Sequence, residues 1–200
     1  MARRFLLKLS GEALANNGCE RFSEVAAIVS RSLQEQDIEL GVVIGGGNIH
    51  RGKNWQNIPQ PKSDLMGMLA TVINSIGLAE ILRKDFALNA QVLSALVMPK
   101  VCESYSYDLA NLYLKQYKIV IFAAGFGNPF FTTDSAAVLR ALEMDCELLL
   151  KATQTDGVYD KDPNIFPDAI RYEKVSYDEV LEKKLMVMDL TAITLAKEKS

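Results

Sequence analysis

The chain has 200 residues, 49% of them hydrophobic, and a formal net charge of −3. Its length and apolar content suit one compact domain over residues 1–200 and exclude a disordered chain, while the slight acidity leaves no basic footprint for a nucleic-acid backbone. Three cysteines (Cys19, Cys102, Cys146) without a C-x-x-C pair argue against a disulfide framework, and the lone histidine, His50, excludes a multi-histidine metal centre, so no protein metal site is expected.

"RFLLKLS" reads as the first strand. The arginines before it look like the start of a signal peptide, but Lys8 breaks the apolar run too early for one. No stretch is expected to reach transmembrane length, so the expectation is a cytoplasmic chain with no membrane partner. "SEVAAIVSRSLQEQ" has helical periodicity, with Ser23 as its N-cap. "LGVVIGGG" is a second strand that ends in glycines, and "DLMGMLATVINSIGLAEILRK" is a long, mostly apolar helix. "AQVLSAL" is a third strand, "YDLANLYLKQ" a helix and "KIVIFAAG" a fourth strand. "SAAVLRALEM" is a helix and "CELLLKAT" a fifth strand, and the helices "SYDEVLEKKL" and "LTAITLAKEK" close the order. Strands apolar on both faces, alternating with helices, predict a mostly parallel sheet covered on both sides. The polar stretches "GKNWQNIPQPKS" and "TDGVYDKDPNIFPDAIRYEK" read as loops.

In open sheets of this kind ligands sit beyond the C-terminal strand ends. That rule selects four segments. In "KLSG", Lys8 interrupts an apolar strand, where an unpaired charge is costly; it is either a functional cation or an edge lysine reaching water. "IGGGNIHRG" is neither a G-x-G-x-x-G nor a Walker A loop. Its glycines let backbone N–H groups approach an anion, with Arg51 as a phosphate clamp, or they form a flexible turn. "GFGNPFFTTDS" places Asn128, Thr132 and Thr133 before a helix N-terminus, where an anion is favoured and where a capping threonine also belongs. Asp134 fits the first turn of that helix electrostatically. "KATQTDGVYDKDP" offers Tyr159 and Asp162 to a purine, or is only a polar loop.

Together these segments resemble the bacterial-type uridylate kinases of the amino acid kinase superfamily. The resemblance rests on "LLKLSGEAL", "VVIGGGNIHRG", "DLMGMLATVIN", "GNPFFTTDSAA", "KATQTDGVYDKDP" and "VMDLTAITLAK", in that order along nearly the whole chain. It implies a three-layer α/β/α sandwich of the amino acid kinase type. The implied activity is transfer of the γ-phosphoryl of ATP to UMP, with Mg²⁺ carried by the ATP. By motif, Lys8, Leu9, Ser10, Gly11, Gly47, Arg51, Thr153, Tyr159 and Asp162 would hold ATP. Gly46, Asp64 and the run Phe126, Gly127, Asn128, Pro129, Phe130, Phe131, Thr132 and Thr133 would hold UMP. Lys8, Arg51, Asp134 and Asp189 would be the catalytic set. The resemblance also implies a homo-oligomer, a hexamer, assembled through the long helix. A storage protein that binds nucleotide or oxyanion on the same fold, and a kinase of another small acid, are the competing implications. The usual "GTGNP" reads "GFGNP" here; Phe126 cannot donate the hydrogen bond of a threonine, so either its ring lies over the uracil and replaces that bond by stacking, or, as the flanking glycines favour, the loop works through its main chain with the ring turned away.

Overall fold

The computed structural model describes residues 2–14, 19–52, 57–153 and 155–199, and the side chains of Ala13, Cys19 and Glu20 are not among the described groups. Residues 53–56 of the first loop-like stretch, and Gln154, lie outside them. Strands β1 (Arg3–Leu9), β2 (Ile38–Ile44), β3 (Gln91–Ser94), β4 (Glu103–Ser104), β5 (Ile119–Ala123) and β6 (Leu148–Ala152) form one sheet in the order β4-β3-β5-β2-β1-β6. Every pairing in it is parallel. The two innermost strands, β2 and β5, are buried along their whole length, as the continuous apolar runs require.

Helices α1 (Cys19–Glu35) and α2 (Gln60–Phe86) cover one face. There Ala26, Val29, Leu78 and Leu82 pack against Phe5, Leu9, Val42, Ile44 and Ile121. Helices α3 (Tyr107–Tyr117) and α4 (Thr133–Glu143) cover the other, where Leu114, Ala137 and Ala141 meet Leu6, Val43, Val120 and Phe122. The alternation of side chains along β1 therefore sends Leu9 to the first face and Leu6 and Lys8 towards α4. Helices α5 (Tyr177–Glu182) and α6 (Leu190–Lys199) close the order over a smaller cluster of Val180, Leu185 and Ile193. The result is the expected α/β/α sandwich.

Three local expectations are corrected. Helix α1 begins at Cys19, so Ser23 lies inside it rather than capping it; the extra turn is held by Phe22, whose ring lies over Gly77 of α2. The polar stretch 155–174 is not all loop: it contains the antiparallel pair β7 (Val158–Tyr159) and β8 (Arg171–Tyr172). Likewise Gln60–Ser63 form the first turn of α2 rather than loop. Contrary to the expectation that no stretch would be, that helix is also long and apolar enough, by length and composition, to cross a membrane. Its packing explains the composition differently: Val72, Leu78, Ala79 and Leu82 are buried against the sheet and α1, and its other face exposes Leu65, Leu69 and Ile73.

Candidate functional site

The connections leaving β2 and β5 run in opposite directions across the sheet, which opens a crevice between their C-terminal ends. A cavity of about 330 Å³ lies there, within the range of small-ligand sites. Gly46 and Gly47 from the β2 loop, Phe126, Asn128, Phe131, Thr132 and Thr133 from the β5 loop, and Asp64 from α2 all line it. Sequence reasoning missed further lining residues, namely His50, Gly52, Ser63, Gly67, Met68, Thr71 and Gly125. Of the acceptor run, Gly127, Pro129 and Phe130 do not line it.

The β2 loop uses glycine for close approach, whereas the β5 loop uses it for a left-handed backbone and, at Gly127, for close approach too, since a Cβ there would fall 2.8 Å from the Ala95 carbonyl oxygen. A Cβ on Gly11 would fall 2.5 Å from the amide nitrogen of Gly47, and one on Gly45 would fall 2.8 Å from that of Gly11. The first two strand ends are therefore packed backbone to backbone, with no left-handed residue needed. The β5 loop instead turns through left-handed conformations at Ala124 (φ 63°), Gly125 (φ 57°), Gly127 (φ 75°) and Phe130 (φ 71°). Its rings meet edge to face: Phe126 and Phe131 have centroids 4.6 Å apart at 81°. Phe126 is thus packed against a second cavity-lining aromatic.

Beside the cavity stands a triad of charges. Lys8 Nζ lies 2.7 Å from Asp134 Oδ1, and Lys151 Nζ lies 2.9 Å from Asp134 Oδ2. Lys8 and Lys151 are register partners in adjacent strands, so their side chains leave the sheet on the same side. Asp134 arrives from the first turn of α4, whose N-cap Thr132 accepts from the amides of Asp134 and Ser135 at 3.0 and 3.3 Å. Lys8 is 6% exposed, and its buried charge is offset by that carboxylate. Lys151 was not singled out in the sequence, although "LLKAT" repeats the pattern of "LLKLS".

The remaining expected residues fall as follows. Arg51 pairs with Glu12 at 2.6 Å and reaches the Gly47 carbonyl at 3.3 Å. Asp64 accepts from the Phe130 amide at 2.8 Å and from Gln60 at 2.6 Å. Leu9 ends β1 and Ser10 and Gly11 follow it beside the triple glycine, and Thr153 follows the end of β6, where its hydroxyl accepts from the Thr155 amide at 3.0 Å. Tyr159 and Asp162 lie farther along, in and after the short β7 strand. The Tyr159 hydroxyl donates to Asp156 at 2.8 Å, which pushes its pKa up. Asp162 accepts from the Asn164 amide at 2.9 Å and so shapes its own turn.

Asp189, expected among the catalytic acids, is engaged as a structural acceptor. It takes hydrogen bonds from Ser135 Oγ (2.9 Å), from the Ala192 amide (2.9 Å) and from the Thr132 hydroxyl. Burial pushes its pKa up, but the bonds from Thr132, Ala192, Ser135 and Thr191 outweigh burial and hold the carboxyl below its usual range. Its position therefore ties the start of α6 to the start of α4.

Comparison with known proteins agrees with this geometry. The model of the amino acid kinase family matches residues 3–200. A uridylate kinase of Wolinella succinogenes is 48% identical over 202 residues, covering 98% of this chain and 83% of that protein. The crystal structure of a UMP kinase from Ureaplasma parvum superposes with a TM-score of 0.92 at 33% identity, covering 100% of this chain and 87% of the other. A UMP kinase from Bacillus anthracis gives a TM-score of 0.91 at 36% identity, covering 98% and 83%.

Proposed function

The chain belongs to the amino acid kinase family, and within it we propose that it is a UMP kinase, transferring the γ-phosphoryl group of ATP to UMP to give UDP and ADP. The observation that carries this reading is the cavity between the β2 and β5 loops, opening beside the Lys8–Asp134–Lys151 triad. It is supported by relatives that are uridylate kinases over nearly the whole chain. Six ordered motifs and an intact charge triad favour the kinase over a storage protein on the same fold.

In this reading an ionised oxygen of the UMP phosphate attacks the γ-phosphorus. The bond from that phosphorus to the bridging oxygen breaks, and ADP leaves with the electron pair. No protein base is needed, because the attacking oxygen carries no proton to remove. Catalysis then rests on positioning and on charge. Lys8 and Lys151 face the transferring group, and Asp134 holds both ammonium groups in place. Arg51 and the backbone of Gly11 and Gly47 receive the ATP phosphates, while Thr153, Tyr159 and Asp162 flank the adenosine. Gly46, Asp64, Asn128 and Thr133 meet UMP, within the wrap of Phe126 to Thr133.

Magnesium fits this arrangement as an ion carried by the nucleotide. Asp134, the acid nearest the lysines, is already paired with both, so phosphate oxygens are the natural donors. When bound, it neutralises phosphate charge. The apolar stripe of Leu65, Leu69 and Ile73 on α2 supports assembly of copies through that helix, as far as a hexamer. A cytoplasmic setting, where both nucleotides are available, completes the reading. The test is ADP release measured by a coupled assay with UMP, CMP and dUMP. UMP should be the preferred acceptor; no release above the ATP-only rate with any of the three would overturn the proposal.

A further inference from the structure

Helix α2 lies beside both loops of the cavity and is tied to each of them at two points. The β5 loop is held at its start, where the Ala124 amide donates to Thr71 Oγ1 at 2.8 Å, and at its far side, where the Phe130 amide donates to Asp64 at 2.8 Å. The triple-glycine loop is held at its start, where Asn74 Nδ2 donates to the Gly45 carbonyl at 2.8 Å, and at its end, where His50 Nε2 meets Ser63 Oγ at 3.0 Å. Each loop thus runs along the helix between an inner tie (Thr71, Asn74) and an outer tie (Ser63, Asp64). The inner and outer ties of the β5 loop are seven residues apart, a span of about 10.5 Å along the axis.

The inner ties are buried and fully engaged. Thr71 is 4% exposed and Asn74 is 2% exposed. The Thr71 hydroxyl donates to the Met68 carbonyl at 2.7 Å while it accepts from Ala124, so its orientation is fixed. Asn74 also exchanges hydrogen bonds with the Asn48 amide, at 2.8 and 3.1 Å. Ala124 needs such a hold, because a left-handed φ of 63° is unfavourable for alanine. Close approach is built into the helix as well: a Cβ on Gly46 would fall 2.8 Å from both the Gly67 carbonyl and the Ala70 Cβ.

We propose that Thr71 and Asn74 are positioning residues for different loops, Thr71 setting the β5 loop around UMP and Asn74 setting the triple-glycine loop, whose Gly47 and Arg51 serve ATP and whose Gly46 meets UMP. The inference rests on the kinase reading for the identity of the two nucleotides. It does not rest on it for the ties themselves, and the experiment separates the two.

Binding of UMP and of a non-hydrolysable ATP analogue with Mg²⁺ is measured by calorimetry on the full chain. Thr71→Val should weaken UMP at least fivefold, equivalent to about 1 kcal/mol, and leave the ATP analogue within about twofold. Thr71→Ser, which keeps the hydroxyl, should restore UMP binding. Asn74→Ala should weaken the ATP analogue at least fivefold; if it fails to fold, Asn48→Ala, which removes the second pair of bonds between Asn74 and the same loop and leaves the Gly45 tie, should weaken the analogue in the same direction. Equal effects of Thr71→Val on both ligands would overturn the proposal. So would a lowered melting temperature with both affinities intact. Hydrogen exchange at the Ala124 amide supplies a readout without nucleotide: Thr71→Val should accelerate it, and unchanged exchange overturns the tie even if the wild-type chain proves not to phosphorylate UMP.

Discussion

The loop after β2 and the loop after β5 both carry the glycines that mark a phosphate or nucleotide site, yet they are built on different physics. In the first, glycine supplies room: at Gly45, Gly46 and Gly47, as at Gly11 in the facing loop after β1, a Cβ would collide with backbone or with a neighbouring side chain. In the second, glycine supplies conformation, since Gly125 and Gly127 have positive φ, and only at Gly127 does it supply room as well, where a Cβ would fall 2.8 Å from the Ala95 carbonyl oxygen. Room brings two strand ends together backbone to backbone. Conformation folds a single loop along the cavity. The same letter in a sequence therefore predicts two kinds of sensitivity, and substitutions can tell them apart.

The largest effect is expected where the loops converge. Asp134→Asn removes the charge that holds Lys8 and Lys151 together, and Lys8→Met removes one of the two cations. Each should lower kcat by about 10²-fold or more, the range seen when preorganised charge at a transition state is lost. Steady-state kinetics with ATP and UMP check this. A kcat within a few-fold of wild type in either variant would remove that residue from the phosphoryl-transfer centre.

The comparison itself is tested by a pair of alanines. Gly46→Ala puts a Cβ 2.8 Å from Ala70 Cβ and from the Gly67 carbonyl, so the loop must move off α2. Overpacking of this kind costs about 1–3 kcal/mol, and it should appear as KM values raised about tenfold. Gly125→Ala meets nothing closer than 4.0 Å but sits at φ 57°. The left-handed conformation costs about 1–2 kcal/mol for an L side chain, which for a chain of this size lowers Tm by about 2–8 °C. If Gly46→Ala changes only Tm and Gly125→Ala only KM, the assignment of room and conformation is reversed.

How much of this was legible in the sequence differs along the chain. The sheet was, because β2 and β5 are buried on both faces and read as unbroken apolar runs. Lys8 was in part: a charge in such a run stood out, but only its burial against Asp134 rules out a lysine that reaches water. Lys151 carried the same signal, but it stands in an edge strand whose Leu148 and Leu150 are half exposed, where a lysine draws no notice. Thr71, Asn74 and Ser63 were not legible. Their partners lie 53, 29 and 13 residues away, and inside a long apolar helix a buried polar residue looks like ordinary scatter. The β7–β8 pair was lost for a simpler reason: strands of two residues have no period to read. Asp189 was visible as an acid but not as a cap, since its clients Thr132 and Ser135 belong to another helix.

A smaller effect is expected at that cap. Asp189 keeps a depressed pKa through hydrogen bonds that exist only in the folded chain. A folded value below the unfolded one contributes stability that is present above the ordinary carboxylate range, and that stability is lost as pH falls through the depressed value. Asp189→Asn should therefore destabilise the chain by about 1 kcal/mol at neutral pH and flatten the acid side of its stability profile. Denaturant titrations at several pH values check both. A large fall in kcat with unchanged stability would instead support Asp189 as a member of the catalytic set.

The smallest effect is expected at Glu12, and it bears on how the roomier loop waits for its ligand. Its carboxylate lies 2.6 Å from Arg51, and a Cβ on Gly47 would fall 2.8 Å from the same oxygen. An anion thus rests between the arginine and the glycine backbone, where the proposed ATP phosphates would arrive. Both side chains are about 40% exposed, so the pair is screened and worth at most about 1 kcal/mol. Displacing it should cost ATP no more than that. Glu12→Gln should accordingly tighten ATP binding by a factor between about two and five, with UMP binding unchanged, and the gain should shrink as salt is raised. The β5 loop offers no comparable internal anion against its own glycines among the described residues, so no matching variant should improve UMP binding. If Glu12→Gln instead weakens ATP, the carboxylate is holding Arg51 in its working position rather than standing in for phosphate.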